Sequence, residues 1–109
     1  QSRLVGATGY VTHLANVWPE HEVAFWDLIA AGNYSRALHE YRHVFWPWTR
    51  LRVWAGENVA RGESLLVKRA AELTGFIGGP DRRPMLSLDE EQRAHVRRVL
   101  EQIGAPIVN

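Results

Sequence analysis

One short segment of this 109-residue chain has the character of a β-strand, and no other convincing strand accompanies it. Residues 10–14, Tyr-Val-Thr-His-Leu, are rich in β-branched and aromatic side chains and follow Gly6 and Gly9, which are typical of a turn. A single strand leaves its backbone N–H and C=O groups unpaired, and burying them unpaired is unfavourable. We therefore expect the neighbouring strands to lie outside these residues, so that the chain is part of a longer polypeptide.

The residues after Asn16 have the periodicity of helices instead. Pro19 suits the first position of a first helix, and Gly32 should end it. A second helix is predicted over residues 34–55, with a kink at Pro47, because proline removes one helical hydrogen bond. Its apolar residues recur at helical spacing and should form the buried face: Tyr34, Ala37, Leu38, Tyr41, Phe45, Trp48 and Leu51.

The last third of the chain is predicted to contain two more helices and a loop between them. A third helix should cover residues 63–73, followed by a glycine- and proline-rich loop over 75–84. Ser87 and Glu90 have the spacing of a capping box, which predicts a last helix that ends before Gly104. The chain itself should therefore be mostly α-helical.

Composition excludes several classes of function. The net charge is +1, with acidic and basic residues interspersed, so the chain has no basic stripe of the kind that binds nucleic acid. The absence of cysteine excludes disulfides, thiolate nucleophiles and cysteine-bound zinc. No apolar run is long enough to span a membrane, and 46% hydrophobic residues are typical of a soluble globular protein. These features fit a cytoplasmic protein with no nucleic-acid or membrane partner.

Residues 39–43, His-Glu-Tyr-Arg-His, match the HExxH pattern of zinc metallopeptidases. In that pattern two histidines one helical turn apart bind zinc, and the glutamate activates a water molecule. Here His39 and His43 should lie on the charged, solvated side of their helix, and no recognisable motif supplies a third ligand. We expect no metal site, and a zinc metallopeptidase remains as an alternative function.

A second alternative is a helical binding module. Residues 32–38, Gly-Asn-Tyr-Ser-Arg-Ala-Leu, resemble the turn and second helix of a tetratricopeptide-type pair. Such units need about three stacked copies to bury a core, and no second copy occurs at the expected period of about 34 residues.

Lys68 is the only lysine in the chain, so a Schiff base formed within these residues would have to use it. The side chain should lie off the apolar face of its helix, one turn before Glu72. An ion pair between the two on a solvated surface is the expected arrangement.

Five short motifs, taken in order, resemble one enzyme family across nearly the whole chain. They are Gly-Ala-Thr-Gly-Tyr-Val-Thr at 6–12, Ala-Asn-Val at 15–17, Ala-Gly-Asn-Tyr-x-x-Ala-Leu at 31–38, Val-Lys-x-x-Ala at 67–71 and Arg-Pro-Met-x-x-Leu at 83–88. Their order and spacing are similar to the C-terminal part of the dihydrodipicolinate synthase and N-acetylneuraminate lyase family. The resemblance implies an α/β fold, a (β/α)₈ barrel with an extra C-terminal helical bundle. Residues 1–18 would contain the eighth and last barrel strand, and residues 19–109 the last barrel helix and the C-terminal helical region.

The activity that this resemblance implies is that of a class I aldolase or lyase. Members of the family form a Schiff base between a lysine and pyruvate or a similar 2-oxo acid, and then form or break a carbon–carbon bond with an aldehyde or imine. The lysine and an assisting tyrosine belong to earlier barrel strands, so this chain would contain no catalytic residue and would be inactive alone. The resemblance also implies a cytoplasmic homo-oligomer, a dimer or tetramer, that needs no metal or organic cofactor.

The same resemblance implies a substrate-binding role for Val11, Thr12 and His13. The position of Val11 contributes a backbone carbonyl to the pyruvate pocket, and the position of His13 contacts the substrate beyond pyruvate. Val11 and His13 would share one face of the strand, because side chains alternate with a period of two. A histidine packed between strand and helix, without contact to substrate, is the other interpretation of His13.

Overall fold

Helices make up most of the chain in the computed structural model, which describes residues 2–59 and 62–108. Within these ranges there are five α-helices: α1 Pro19–Ala30, α2 Tyr34–Glu40, α3 Trp46–Asn58, α4 Gly62–Leu73 and α5 Glu90–Ile103. A long loop over residues 74–89 separates α4 from α5. Two short 3₁₀ helices, Ser2–Val5 and His13–Asn16, precede them, and a π-helical turn, Tyr41–Phe45, joins α2 to α3. The mostly helical character predicted for the chain is confirmed.

The strand predicted over residues 10–14 is not formed. Thr12 has extended backbone angles, φ −144° and ψ 141°, but a 3₁₀ helix begins at His13. The hydroxyl of Thr12 accepts a hydrogen bond of 3.2 Å from the N–H of Leu14. The described ranges contain no strand with which this segment could pair, and the side chain of Thr12 takes up the N–H of Leu14 locally.

The ends of the first helix agree with the sequence. Pro19 occupies the first turn of α1, where its missing N–H has no helical partner to lose. The turn after α1 contains Gly32 with φ +75°, a backbone conformation that glycine adopts easily. The side chain of Asn33 then caps α2 by accepting a hydrogen bond of 3.3 Å from the N–H of Arg36.

A π turn interrupts the long second helix directly before Pro47. The N–H of Trp46 donates to the carbonyl of Tyr41, five residues earlier, so one extra residue enters the helical turn. The sequence predicted a kink at Pro47, and the irregularity in the structure is this π turn. Helical structure then continues to Asn58, slightly beyond the predicted end at residue 55.

The π turn changes which residues the second helix buries. Val44, Trp48 and Leu51 enter the core, whereas Leu38 and Tyr41 are about half exposed. The prediction that Leu38 and Tyr41 belong to the buried face was wrong, and so was the same prediction for Tyr34, which is 50% exposed. A regular period of 3.6 residues cannot describe both sides of an inserted residue, so the apolar stripe before the π turn is rotated relative to the stripe after it.

The capping box of α5 is present, but two residues later than predicted. Asp89 is the N-cap, and its Oδ1 accepts a hydrogen bond of 2.8 Å from the N–H of Gln92. Oε1 of Gln92 in return accepts one of 3.0 Å from the N–H of Asp89. Leu88, buried immediately before the cap, anchors the start of the helix there rather than at Ser87. Gly104 ends α5 in the left-handed conformation, as expected.

The core lies between α3, α4 and α5 and includes the turn that follows residue 12. Its largest fully buried side chains come from these parts and from the loop before α5: Leu14, Val17, Trp48, Leu51, Leu65, Leu66, Leu88, Val96 and Leu100. The segment that contains the predicted substrate-binding residues is therefore fixed to the helical core at its C-terminal end. Among residues 2–59 and 62–108, no helix has the length and apolar character needed to cross a membrane.

Candidate functional site

Val11, Thr12 and His13 lie together at the surface, immediately before the buried Leu14. The side chain of Val11 is fully exposed, and that of His13 is about half exposed. The two do not share a strand face, because the 3₁₀ helix begins at His13. Their exposure leaves them accessible, and their binding of substrate remains a prediction.

Tyr10, on the N-terminal side of this segment, contacts α1. Its hydroxyl donates a hydrogen bond of 3.1 Å to Oε2 of Glu22, and its ring lies 5.7 Å from that of Trp26, centroid to centroid. Burial raises the pKa of Tyr10, and the charge of Glu22 and its hydrogen bond raise it further. The hydroxyl is therefore protonated at neutral pH and remains a donor to Glu22.

On the C-terminal side of the segment, His13 contacts Glu63 of α4, and Glu63 in turn contacts α3. Nδ1 of His13 lies 3.0 Å from Oε1 of Glu63, which belongs to the first turn of α4. The same oxygen accepts a hydrogen bond of 2.8 Å from Nε of Arg52 on α3, and Nη2 of Arg52 also donates to it. His13 is thus held by an ion-paired carboxylate at the surface rather than packed in an apolar interior.

A buried polar network lies below Tyr10, and sequence analysis did not find it. His21 and Glu22 are only 8% and 6% exposed. Nδ1 of His21 is 3.4 Å from Oε1 of Glu22, and Nε2 is 3.1 Å from Oε2 of Glu40 on α2. Arg36 approaches Glu40 at 3.5 Å. Trp18 and Phe25, spaced three and four residues from His21, form the aromatic surroundings that could have indicated a buried position.

The two carboxylates favour the charged form of His21. Burial alone would lower the pKa of His21, but hydrogen bonds to Glu22 and Glu40 and the charges of both carboxylates outweigh it, so the pKa is raised. Glu40, the glutamate of the HExxH pattern, therefore serves to link α2 to α1.

The two histidines of the HExxH pattern are exposed, as predicted. Their rings stack on each other with centroids 4.1 Å apart, and Nδ1 of His43 donates to the carbonyl of His39 at 2.8 Å. Glu40, between them in the sequence, contacts His21 instead. Within the described ranges, no group of three or more histidine or carboxylate side chains is placed to share a metal ion.

Lys68 pairs with the loop after α4, so the predicted ion pair with Glu72 was wrong. Its Nζ lies 3.1 Å from Oδ1 of Asp81 and donates to the carbonyl of Pro80, also at 3.1 Å. Glu72 pairs with Arg69 instead, at 2.6 Å. The loop folds back over α4 and brings in a buried carboxylate, which a rule based on spacing within one helix cannot anticipate. Lys68 also lines an open cleft of about 750 Å³.

Known proteins that are similar to this chain come from one family. Residues 1–103 match the family model described as the dihydrodipicolinate synthetase family. The chain is 34% identical over 100 residues to the 4-hydroxy-tetrahydrodipicolinate synthase of Symbiobacterium thermophilum, an alignment that covers 92% of the chain and 32% of that protein. It is 33% identical over 100 residues to an uncharacterised DapA-like lyase of Halobacterium salinarum, covering 92% of the chain and 31% of the relative.

A third relative is named for a different activity. The probable 5-dehydro-4-deoxyglucarate dehydratase of Rhizobium meliloti is 31% identical over 99 residues, which cover 89% of the chain and 31% of that protein. The chain thus spans about a third of the length of the curated relatives it matches. No solved structure matches the chain at a significant level.

Proposed function

Because this chain belongs to the dihydrodipicolinate synthetase family, we propose that it is part of a Schiff-base lyase that acts on pyruvate or a similar 2-oxo acid. The family match over residues 1–103 is the observation that supports this proposal most strongly. A lysine amine attacks the keto carbon and forms an imine, which withdraws electrons when protonated. The adjacent carbon then forms or breaks a bond to an aldehyde or imine partner as an enamine.

The environment of Lys68 supports a nucleophile located outside these 109 residues. Its ammonium donates to the carbonyl of Pro80 and contacts the carboxylate of Asp81. An imine-forming lysine needs a free lone pair, and a desolvated or cationic environment usually provides it. The paired state of Lys68 is the opposite arrangement, so we assign it a structural role and place the reactive lysine upstream.

In the proposed whole enzyme, residues 1–18 complete a (β/α)₈ barrel and residues 19–109 supply its last helix and the C-terminal helical region. A strand over residues 10–14 would form once neighbouring strands offer hydrogen bonds to its backbone. Val11 would then contribute its backbone carbonyl to the pyruvate pocket, and Thr12 and His13 would lie beside it. We also propose a cytoplasmic homo-oligomer, a dimer or tetramer.

The structure offers less support for the two alternatives. A zinc peptidase would need its two histidines and a third ligand around one sheltered position, whereas His39 and His43 are exposed and Glu40 contacts His21. A tetratricopeptide-like module would present stacked copies of one helical pair, whereas α3, α4 and α5 pack around a single shared core.

Borohydride trapping of the full-length protein tests the proposal. Incubation with pyruvate and borohydride should inactivate the protein irreversibly and attach the reduced pyruvate covalently, because borohydride reduces the imine to a stable amine. Lactate is the matched control, since it lacks the keto group and cannot form an imine. The absence of any adduct with pyruvate and with other 2-oxo acids would contradict a Schiff-base mechanism.

A further inference from the structure

We propose that His39 and His43 form an open chelating site for a divalent transition-metal ion, and that this site binds Cu²⁺ more tightly than Ni²⁺ or Zn²⁺. The inference goes beyond the proposed function and does not depend on it, because the site uses none of the residues assigned to substrate. It follows from the spacing of the two histidines, from the packing of their rings and from the hydrogen bond that His43 makes.

The spacing of four residues places the two histidines beside each other on one helical face. Residues four apart are neighbours on the surface of an α-helix. His39 belongs to α2 and His43 to the π turn Tyr41–Phe45, but the wider turn does not separate them: their rings stack with centroids 4.1 Å apart and 25° between the planes. Two nitrogens that bind one ion at about 2.0–2.1 Å lie about 3–4 Å apart. Rings at the observed separation therefore need only a small rotation to share an ion.

The hydrogen bond of His43 determines which of its nitrogens can bind the ion. Nδ1 of His43 lies 2.8 Å from the carbonyl oxygen of His39, and a carbonyl can only accept, so Nδ1 carries a proton. In the neutral ring the lone pair is then on Nε2. Histidine ligands of metal ions usually donate their other N–H to a carbonyl or carboxylate in this way.

The remaining ring nitrogens are available to a ligand. Both histidines are exposed. In the part of the chain that the structure describes, no hydrogen bond or ion pair occupies Nε2 of His43 or either ring nitrogen of His39. Two adjacent imidazoles with free nitrogens thus face solvent on the same side of the helix.

The site depends on one stretch of helix only. The ring contact and the hydrogen bond that define it lie within five consecutive residues, 39–43, and helical structure is continuous from Tyr34 to Asn58. Neither contact involves residues 1–18. A change in the conformation of residues 10–14 in a longer protein would therefore leave the geometry of the histidine pair intact.

The chemistry of the donors selects the class of metal ion. Imidazole nitrogen suits Cu²⁺, Ni²⁺ and Zn²⁺, whereas Mg²⁺ and Ca²⁺ are bound by oxygen ligands. The charged neighbours in sequence are Arg42, which is exposed, and Arg36, which pairs with Glu40 at 3.5 Å, so their sum is not negative. An ion that binds by charge alone gains nothing here. Among ions that bind nitrogen, affinity is highest for Cu²⁺.

This site differs from the closed zinc site of a peptidase. The expectation of no metal site rested on the exposure of the histidines and on the missing third ligand, and an exchangeable site with two protein ligands needs neither shelter nor a third side chain. Water completes the coordination of the ion. Oε2 of Glu40, the glutamate of the HExxH pattern, is 3.1 Å from His21 on α1. Metal binding would therefore bring no peptidase activity, and chelators would remove the ion during purification.

Cu²⁺ titration of the full-length protein, first freed of metal with a chelator, tests the site. Nuclear magnetic resonance of protein labelled with ¹⁵N histidine reports each ring separately, because paramagnetic Cu²⁺ broadens the signals of the rings that bind it. His39→Gln and His43→Gln assign the two signals and each remove one ligand. His95→Gln is the matched control, since His95 is a single histidine whose ring packs against Trp54 with centroids 4.5 Å apart.

We expect substoichiometric Cu²⁺ to broaden the signals of His39 and His43 together and before that of His95. Each single variant should weaken Cu²⁺ binding at the remaining ring by at least about 10-fold, because one ligand no longer forms a chelate. His95→Gln should leave the affinity unchanged. Excess Ni²⁺ or Zn²⁺ should displace Cu²⁺ partly, and excess Mg²⁺ should not displace it. An unchanged His95 signal in the single variants shows that the helical core is intact.

Three outcomes would overturn the inference. One is that neither His39 nor His43 broadens at substoichiometric Cu²⁺ in the unchanged protein. The second is that only one of them broadens, since the rings would then act independently. The third is that a single variant binds Cu²⁺ at its remaining ring as tightly as the unchanged protein does. Borohydride trapping is unaffected by any of these results, so the proposed function is tested separately.

Discussion

The ion pair between Lys68 and Asp81 should stabilise the position of the loop after α4. Asp81 is 3% exposed in its side chain and Lys68 32%, with 3.1 Å between Nζ and Oδ1. Exposed ion pairs contribute about 0.2–1 kcal/mol, and hydrogen bonds to charged groups about 1.5–3 kcal/mol. With one buried partner and one that is about a third exposed, the expected coupling energy lies between these ranges, at about 1–2 kcal/mol.

A double-mutant cycle measures this coupling directly. The free energy of local opening is obtained by native-state hydrogen exchange on amides of α4 and the following loop, in the full-length protein and in Lys68→Ala, Asp81→Ala and the double variant. The pair Arg97 and Glu101 provides a matched control: both side chains are more exposed, at 42% and 54%, and they are four residues apart on α5. Its coupling should be about 0.3–0.5 kcal/mol.

A coupling energy between Lys68 and Asp81 as small as that of the control pair would refute this stabilising role. Lys68 would then be an ordinary surface lysine, and the argument that its ammonium is committed to the loop would lose its support. A coupling near 1–2 kcal/mol would show that Lys68 stabilises the loop through its charge.

Three further predictions concern other parts of the chain. Because the pKa of His21 is raised in the folded state, its ionised side chain should stabilise the protein fully below about pH 6.5, and this stabilisation should be lost as pH rises through the folded-state pKa. Denaturant unfolding of the unchanged protein and of His21→Gln across pH measures the difference. Asp89→Ala should lower the free energy of unfolding by about 1 kcal/mol and reduce Tm, whereas Ser87→Ala should change little. Replacing His39 and His43 with alanine should leave elemental analysis of the purified protein unchanged; loss of stoichiometric zinc would restore the peptidase alternative.

Local chemistry was sufficient to predict where most helices begin and end. Pro19, Gly32 and Gly104 act through backbone preferences that depend on few neighbours, and all three mark helix ends in the structure. The capping box of α5 was predicted in kind but placed two residues early. Ser87 and Asp89 both fit an N-cap, and the burial of Leu88, which decides between them, is a tertiary effect.

Features that depend on distant residues could not be predicted. A strand over residues 10–14 needs partners that these residues do not provide. The pairing of Lys68 with Asp81 depends on a loop that returns to α4. His21 was missed because a polar residue on a helix is expected at the surface, and only the approach of Glu40 from α2 makes its burial favourable.

The candidate site also combines residues that the sequence indicated with one that it could not indicate. The resemblance to a family drew attention to Val11, Thr12 and His13, and the structure leaves Val11 and His13 exposed and Thr12 partly buried at the edge of the helical core. Glu63 could not be found from sequence, because fifty residues separate it from His13 and no motif connects the two. Only the packing of the 3₁₀ helix His13–Asn16 against α4 brings them together.

The position of the trapped lysine tests the central claim most directly. The full-length protein is reduced with borohydride in the presence of pyruvate, digested, and the modified peptide is identified by mass spectrometry. We predict that the label lies on a lysine outside residues 1–109, and that Lys68→Arg is trapped as readily as the unchanged protein. Label on Lys68, or no label with any 2-oxo acid, would contradict the assignment of this chain to a Schiff-base lyase with its nucleophile upstream.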